Sequence, residues 1–271
     1  MRRLKLVLTS LDSSVYYSFM GHPLYQELRD RAHELARALP RPSFYSEHAF
    51  QVRRAEESLA SHEFILRCRT YLDESLLECA HGLCHCEAVA RDAGTIVLIE
   101  AERSKMSAPD RERLFTASII AGLLHDIKRK EQDHAVRGSI EAEKILSRLG
   151  MDLRERQYIA DAIRNHEAFQ ETFERDDAAG QLVSDALYDA DKFRWGPENF
   201  TTTLWLMVES HHTPPESLHR TFKEKMKGIE RIKETFRTDT GKRFGPEFID
   251  QGIAIGNAVY EKLTVMLQRG E

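Results

Sequence analysis

The sequence predicts an all-α protein, a helical bundle with a helical extension on either side. Apolar residues recur at spacings of three and four along almost the whole chain, no long alternating valine- or isoleucine-rich run appears, and prolines stand where helices must stop. With 271 residues, 41% of them hydrophobic, the chain can form one large domain or two small ones around a sizeable core.

The start, "MRRLKLVLTSLDSSVYYSF", carries cations, but Lys5 and Ser10 break its apolar run, which is too short for a membrane span or a secretory leader. A cytoplasmic protein is therefore expected. Residues 1–75 are read as an N-terminal helical extension, polar and weakly amphipathic from about 22, with Pro40 and Pro42 in "ALPRPSF" breaking any helix there. Residues 76–210 form the central domain, with helices predicted over 81–104, 111–128, 133–149, 153–168 and 181–193. Pro214 and Pro215 then open a C-terminal extension, 211–271, expected to lie on the same core. Between Pro214 and Arg243 nine Lys/Arg face five Asp/Glu, the pattern of a solvated helix face, and "FIDQGIAIGNAVYEKLTVML" closes the chain as an apolar helix.

A net charge of -5 with 31% charged residues and no basic tail argues against a dedicated nucleic-acid binder and favours small-molecule partners. It leaves a homo-oligomer open. Cys68, Cys79, Cys84 and Cys86 lie close together, but on a helix Cys84 and Cys86 point about 200° apart and cannot face one ion. They are assigned no role.

The histidines are more informative. "AGLLHDIKRK" ends an apolar run in His125-Asp126, a pair whose burial costs several kcal/mol, on the order of the penalty for unpaired polar groups, unless something binds it. In 153–168 the stripe of Tyr158, Ile159, Ala162 and Ile163 has His166 at its centre. His85 shares a face with Val89, Ile96 and Ile99, and His134 stands at the edge of the stripe of Ala142, Ile145 and Leu149. Four inward imidazoles with a carboxylate suit a borderline divalent ion such as iron, manganese, cobalt, nickel or zinc, and a bundle can aim them at one centre. Among Asp185, Asp189 and Asp191 periodicity does not choose a further ligand.

The order "HGLCHCEAVARDA", "LLHDIKRK", "DHAVRGSIEA", "IRNHEAF" and "YDADKF" resembles the HD-domain superfamily of metal-dependent phosphohydrolases over about 130 residues. The resemblance points to His85 rather than His81 as the first ligand, and "ADK" selects Asp191. It implies one ion on His85, His125, Asp126 and Asp191, and a second on His134 and His166 with Asp126 bridging the two. One feature departs from the usual pattern: the basic residue three places after the Asp is Arg129, not a lysine, and Lys128 comes one earlier.

The resemblance implies hydrolysis of a small phosphorylated substrate, with one or two divalent ions activating water and clamping the phosphate. Asp126 then serves catalysis by bridging the ions. Lys128, Arg129, Lys130, Arg164, Lys192 and Arg194 all lie near proposed ligands, with Lys128 and Lys192 the first candidates to contact phosphate. Trp195 in "FRWGPENF" is placed at the pocket mouth or in the core. The same ligands also occur in the superfamily's diiron oxygenase branch, so oxygen activation is the alternative, and a metal-binding regulatory protein with little turnover a third.

Overall fold

The computed structural model describes residues 23–72, 82–173 and 177–270; the N-terminal run, Cys79 and His81 lie outside them. Among the described residues there are twelve α-helices and no strand, which bears out the all-α expectation. No described helix is long and apolar enough to cross a membrane.

The N-terminal part comprises α1 (Pro23–Ala38), α2 (Ser43–Glu47), α3 (Ala49–Ser61) and α4 (Glu63–Arg69). The five predicted central helices are α5 (Leu83–Arg103), α6 (Ala108–Leu124), α7 (His134–Arg148), α8 (Leu153–Arg164) and α9 (Ala178–Phe193). A π-helical turn, Asn199–Thr203, leads into α10 (Leu204–Ser210), and α11 (Pro215–Arg231) and α12 (Asp239–Arg269) complete the fold.

As its nearly continuous apolar sequence implies, α6 is central, lying against α5, α8 and α9. It is buried along its length from Ala117 to Leu124. Gly122 is where α6 crosses α5: a Cβ there would sit 2.6 Å from the backbone nitrogen of Ala90. Because the obstacle is backbone, the two helices would have to move apart. Gly122→Ala is therefore expected to cost about 3 kcal/mol, the upper end for an overpacked core, measured by urea denaturation. Loss of less than about 0.5 kcal/mol would show that this crossing gives way easily.

Two corrections concern helix ends. The predicted helix 111–128 stops at Leu124, with His125 as its C-cap and turns from 125 to 130. The predicted helix 153–168 stops at Arg164, so His166 is not on it at all. Periodicity continued past both ends because the next residues are also buried, and burial alone cannot tell a last helical turn from an inward-folded cap.

The flanking parts share the central core, in one apolar cluster that joins Leu28 of α1 and Phe44 of α2 to Ile120 of α6 and Phe248 and Leu263 of α12. The charged stretch after Pro214 is more than a solvated face. Pro215 is well suited to the first turn of α11, and Leu218, Phe222 and Ile229 on its inner side are buried. Helix α12 begins ahead of the apolar run that announced it, because the Thr238 side chain accepts from Gly241 N (2.8 Å) and caps it. Pro246 is carried inside this helix.

Candidate metal centre

The site is built at helix ends. His125 follows the last residue of α6, and its Nδ1 donates back to the Gly122 carbonyl at 2.7 Å. His166, just past the Asn165 cap of α8, repeats the arrangement, with Nδ1 donating to the Ile163 carbonyl at 2.6 Å. A carbonyl can only accept, so both rings carry their proton on Nδ1 and present an Nε2 lone pair inward. Asn165, buried, bonds Phe173 N (2.9 Å), Phe173 O (2.8 Å) and Ser184 Oγ (3.2 Å), which ties the loop after His166 to α9. His134 is the first residue of α7, and Asp133 before it takes the left-handed conformation (φ 55°), which Asp tolerates better than most residues. His85 comes from the first turn of α5, and Asp191 from the last turns of α9.

These residues form two adjoining groups. In the first, His85 Nε2 lies 3.3 Å from His125 Nε2 and 3.4 Å from Asp191 Oδ1, with His125 Nε2 to Asp191 Oδ1 at 3.8 Å. In the second, His134 Nε2 and His166 Nε2 are 3.3 Å apart, and each is 3.6 Å from Asp126 Oδ1. The other oxygen, Asp126 Oδ2, is 3.5 Å from His125 Nε2. One carboxylate thus faces both groups. Ligand atoms about 2.1 Å from an ion at octahedral or tetrahedral angles stand about 3.0–3.4 Å from one another, and most of these separations fall in or near that range. His125 and Asp126 are fully buried, while the His134 side chain keeps 12% exposure. Buried His/Asp groups of this kind can hold metal ions.

The donor chemistry fits. His125 and His166 both turn a lone pair inward, and Arg129 Nη1 donates to His134 Nε2 at 2.8 Å, so that nitrogen is also an acceptor. His134 Nε2, which stands 3.3 Å from His166 Nε2, thus takes a cationic donor where its lone pair lies, and a metal ion there would take the place of that guanidinium contact. The remaining ring nitrogens point at carboxylates, His85 Nδ1 at Glu198 Oε1 and His134 Nδ1 at Glu167 Oε1, both 3.6 Å away. Such outer partners orient ligand imidazoles.

Burial acts to lower the pKa of His85, but Asp191, Glu198 and Asp126 outweigh it and lift the ring to about 9. Burial drops His125 to about 3. Burial also opposes ionisation of Asp191, yet Lys192 and the two imidazoles hold it well below the usual carboxylate range. The acids thus favour a positive charge at His85, while His125 is held neutral by burial.

The predicted cations divide. Lys192 is buried in the site, its Nζ donating to Asp191 Oδ2 (2.6 Å) and to the His166 carbonyl (2.9 Å). Lys128 instead pairs with Glu131 (3.0 Å) and does not line the cavity, where Arg129 takes its place. Arg164 lies over the Phe173 ring. Arg194 is drawn into a buried network, reaching Asp92 Oδ2 (2.5 Å), Tyr45 OH (2.9 Å) and Glu198 Oε2 (3.1 Å). It thereby holds the carboxylate that faces His85. Trp195, half-buried, packs against the core and also lines the cavity.

The structure also separates the three candidate aspartates. Asp191 joins the first group. Asp189 turns away to accept from Arg237 N (2.8 Å) and Thr238 N (2.8 Å) ahead of α12, an approach that Gly241 allows because a Cβ there would fall on the Asp189 carboxylate. Asp185 accepts from Gln181 Nε2 (2.9 Å). Cys86 is buried with its thiol pushed well above its ordinary value by burial, Cys84 is exposed, and neither belongs to the groups.

No protein family, curated protein or solved structure matches the chain in comparisons with known proteins. The fold and the site together define an all-α protein with two adjoining buried His/Asp groups able to hold metal ions.

Proposed function

We propose that this protein is a metal-dependent phosphohydrolase of the HD-domain superfamily, cleaving a phosphate ester of a small molecule. The observation that carries the reading is the Asp126 carboxylate, with one oxygen 3.6 Å from each imidazole of one group and the other 3.5 Å from His125 of its neighbour. Two divalent ions held by these residues would supply Lewis acidity toward the phosphoryl oxygens and activate water. The residues of the chain do the rest. Asp126 sets the spacing of the two groups, and Glu198 and Glu167 keep the His85 and His134 rings aimed inward. Lys192, fixed between Asp191 and the His166 carbonyl, places a positive charge beside the ligands, and Arg129 offers guanidinium N–H groups at the opposite group. Among the described residues that line the cavity there is no Ser or Cys, and the hydroxyl of Thr203 is the one alcohol, so the residues favour direct attack by water over a covalent carrier.

The test is a set of phosphate monoesters offered to the manganese-loaded full chain without oxygen, in heavy-oxygen water. Phosphate release with label in the product, and no trapped phosphoenzyme, is the expected result. Strict dependence on ferrous iron and dioxygen with an oxidised product would replace this reading with the diiron oxygenase. Ligand binding without either reaction would leave a regulatory protein.

A further inference from the structure

The metal centre forms one end of a cavity of about 460 Å³. His85, Asp126, His166 and Asp191 line that end, with Arg129 and Lys192 beside them. The rest has a different chemistry: Phe200 from the π-helical turn, Leu204 from α10, and Leu218, Phe222, Met226 and Ile229 from α11 make an apolar wall. Among the described residues lining this cavity, only Asn199 and Thr203 contribute a side-chain amide or hydroxyl. Lys225, exposed, borders it.

We propose that this chamber binds the organic part of the substrate, and that this part is apolar: the substrate is a phosphate ester of an alkyl or comparable hydrocarbon alcohol, not a nucleotide or a sugar phosphate. The inference rests on the phosphohydrolase reading of the metal centre.

Most of the charge gathers with the ligands. The cationic groups Arg129 and Lys192 sit there, where a phosphate would lie, while Phe200, Leu204, Leu218, Phe222, Met226 and Ile229 offer a ligand mainly apolar area, with Lys225 exposed at its border. A base and ribose would bring several donors and acceptors against Phe222, Leu218 and Ile229, and each left unpaired would weaken binding by roughly tenfold. An inorganic phosphate or a methyl ester would leave the chamber unfilled, since a cavity of this size suits a drug-sized ligand. Met226, an unbranched thioether, can adapt to chains of different shape. This also gives the C-terminal extension a function: α11 closes one side of a room whose floor belongs to the central domain.

The experiment uses methyl-, butyl-, hexyl- and octylphosphonic acid, which carry a phosphate-like head on a bond that resists hydrolysis. Their binding to the manganese-loaded full chain is measured by calorimetry beside inorganic phosphate and adenosine monophosphate, and kcat/KM is measured for the matching alkyl phosphates. Affinity and kcat/KM are both expected to rise about fourfold per methylene until the chamber is full, with adenosine monophosphate no better than the methyl compound. Leu204→Trp, which fills the room, is expected to lower the octyl-to-methyl affinity ratio at least tenfold. A flat series, tighter binding of adenosine monophosphate than of octylphosphonate, or an unchanged ratio in Leu204→Trp would overturn the proposal while phosphate binding keeps the metal-centre reading intact. Failure of inorganic phosphate to bind, with no ester cleaved, would remove the phosphohydrolase reading and this inference with it.

Discussion

On the proposed reading, Asp126→Ala is expected to lose metal binding at both groups and all measurable hydrolysis, because among the described residues this carboxylate alone faces both histidine groups. Each group would be left short of an anion: the first with two imidazoles and Asp191, the second with two imidazoles only. Imidazoles without a carboxylate bind divalent ions less well, and the nearby guanidinium of Arg129, now lacking its anionic neighbour, would repel an ion entering the second group. The loss should also appear in stability. An ligand that binds only the native state stabilises it by about 2.7 kcal/mol at a hundredfold excess over its dissociation constant, so metal should raise the Tm of the parent and leave the variant unmoved. Asp126→Asn, similar in size, separates charge from packing and is expected to show the same metal loss with the fold retained by circular dichroism. Full metal content in either variant would end the assignment of Asp126 as the shared ligand.

His166→Ala distinguishes two ions from one. His166 belongs only to the second group, so the variant is expected to keep about one equivalent of metal on His85, His125, Asp126 and Asp191. Hydrolysis should fall by several orders of magnitude with the loss of the two-metal clamp. The ring is buried and its Nδ1 bonds the Ile163 carbonyl, so a stability cost of about 1–3 kcal/mol accompanies the change, small enough for the fold to survive. Metal analysis and turnover read the two effects separately. Two equivalents in the variant would return His166 to the role of a hydrogen-bonded core histidine.

Much of the fold was legible because a helix records its buried face in a period that needs no knowledge of its partner. The apolar spacing located all five central helices, and the nearly unbroken apolar run of α6 marked it as central. What periodicity missed were the ends. Periodicity puts His166 at the centre of a helical stripe, yet it reaches the interior from beyond the Asn165 cap, held by the Ile163 carbonyl. In the last helix, the cap at Thr238 and the turns before the apolar run are polar or glycine-rich and carry little hydrophobic signal. The charged stretch of α11 was dominated by its outward lysines, which hid the inner row of Leu218, Phe222 and Ile229.

For the site, imidazoles on apolar faces and a buried His-Asp pair, costly without a bound partner, draw attention to His85, His125, Asp126, His134 and His166, and the family resemblance takes His85 rather than His81 as the first ligand. The sequence by itself determined a helical chain and a set of inward-facing metal-ligand types. Periodicity leaves Asp185, Asp189 and Asp191 open and only the family resemblance picks Asp191; the tertiary structure gives the physical reason, since three acids on one helix differ by which neighbour each meets: the imidazoles for Asp191, the start of α12 for Asp189, Gln181 for Asp185. It likewise put Arg129 rather than Lys128 in the cavity, and brought Glu167, Glu198 and Arg194 behind the ligands. Those choices depend on directions fixed where separate helices cross, and a one-dimensional pattern holds the spacing within each helix but not the angle between two of them.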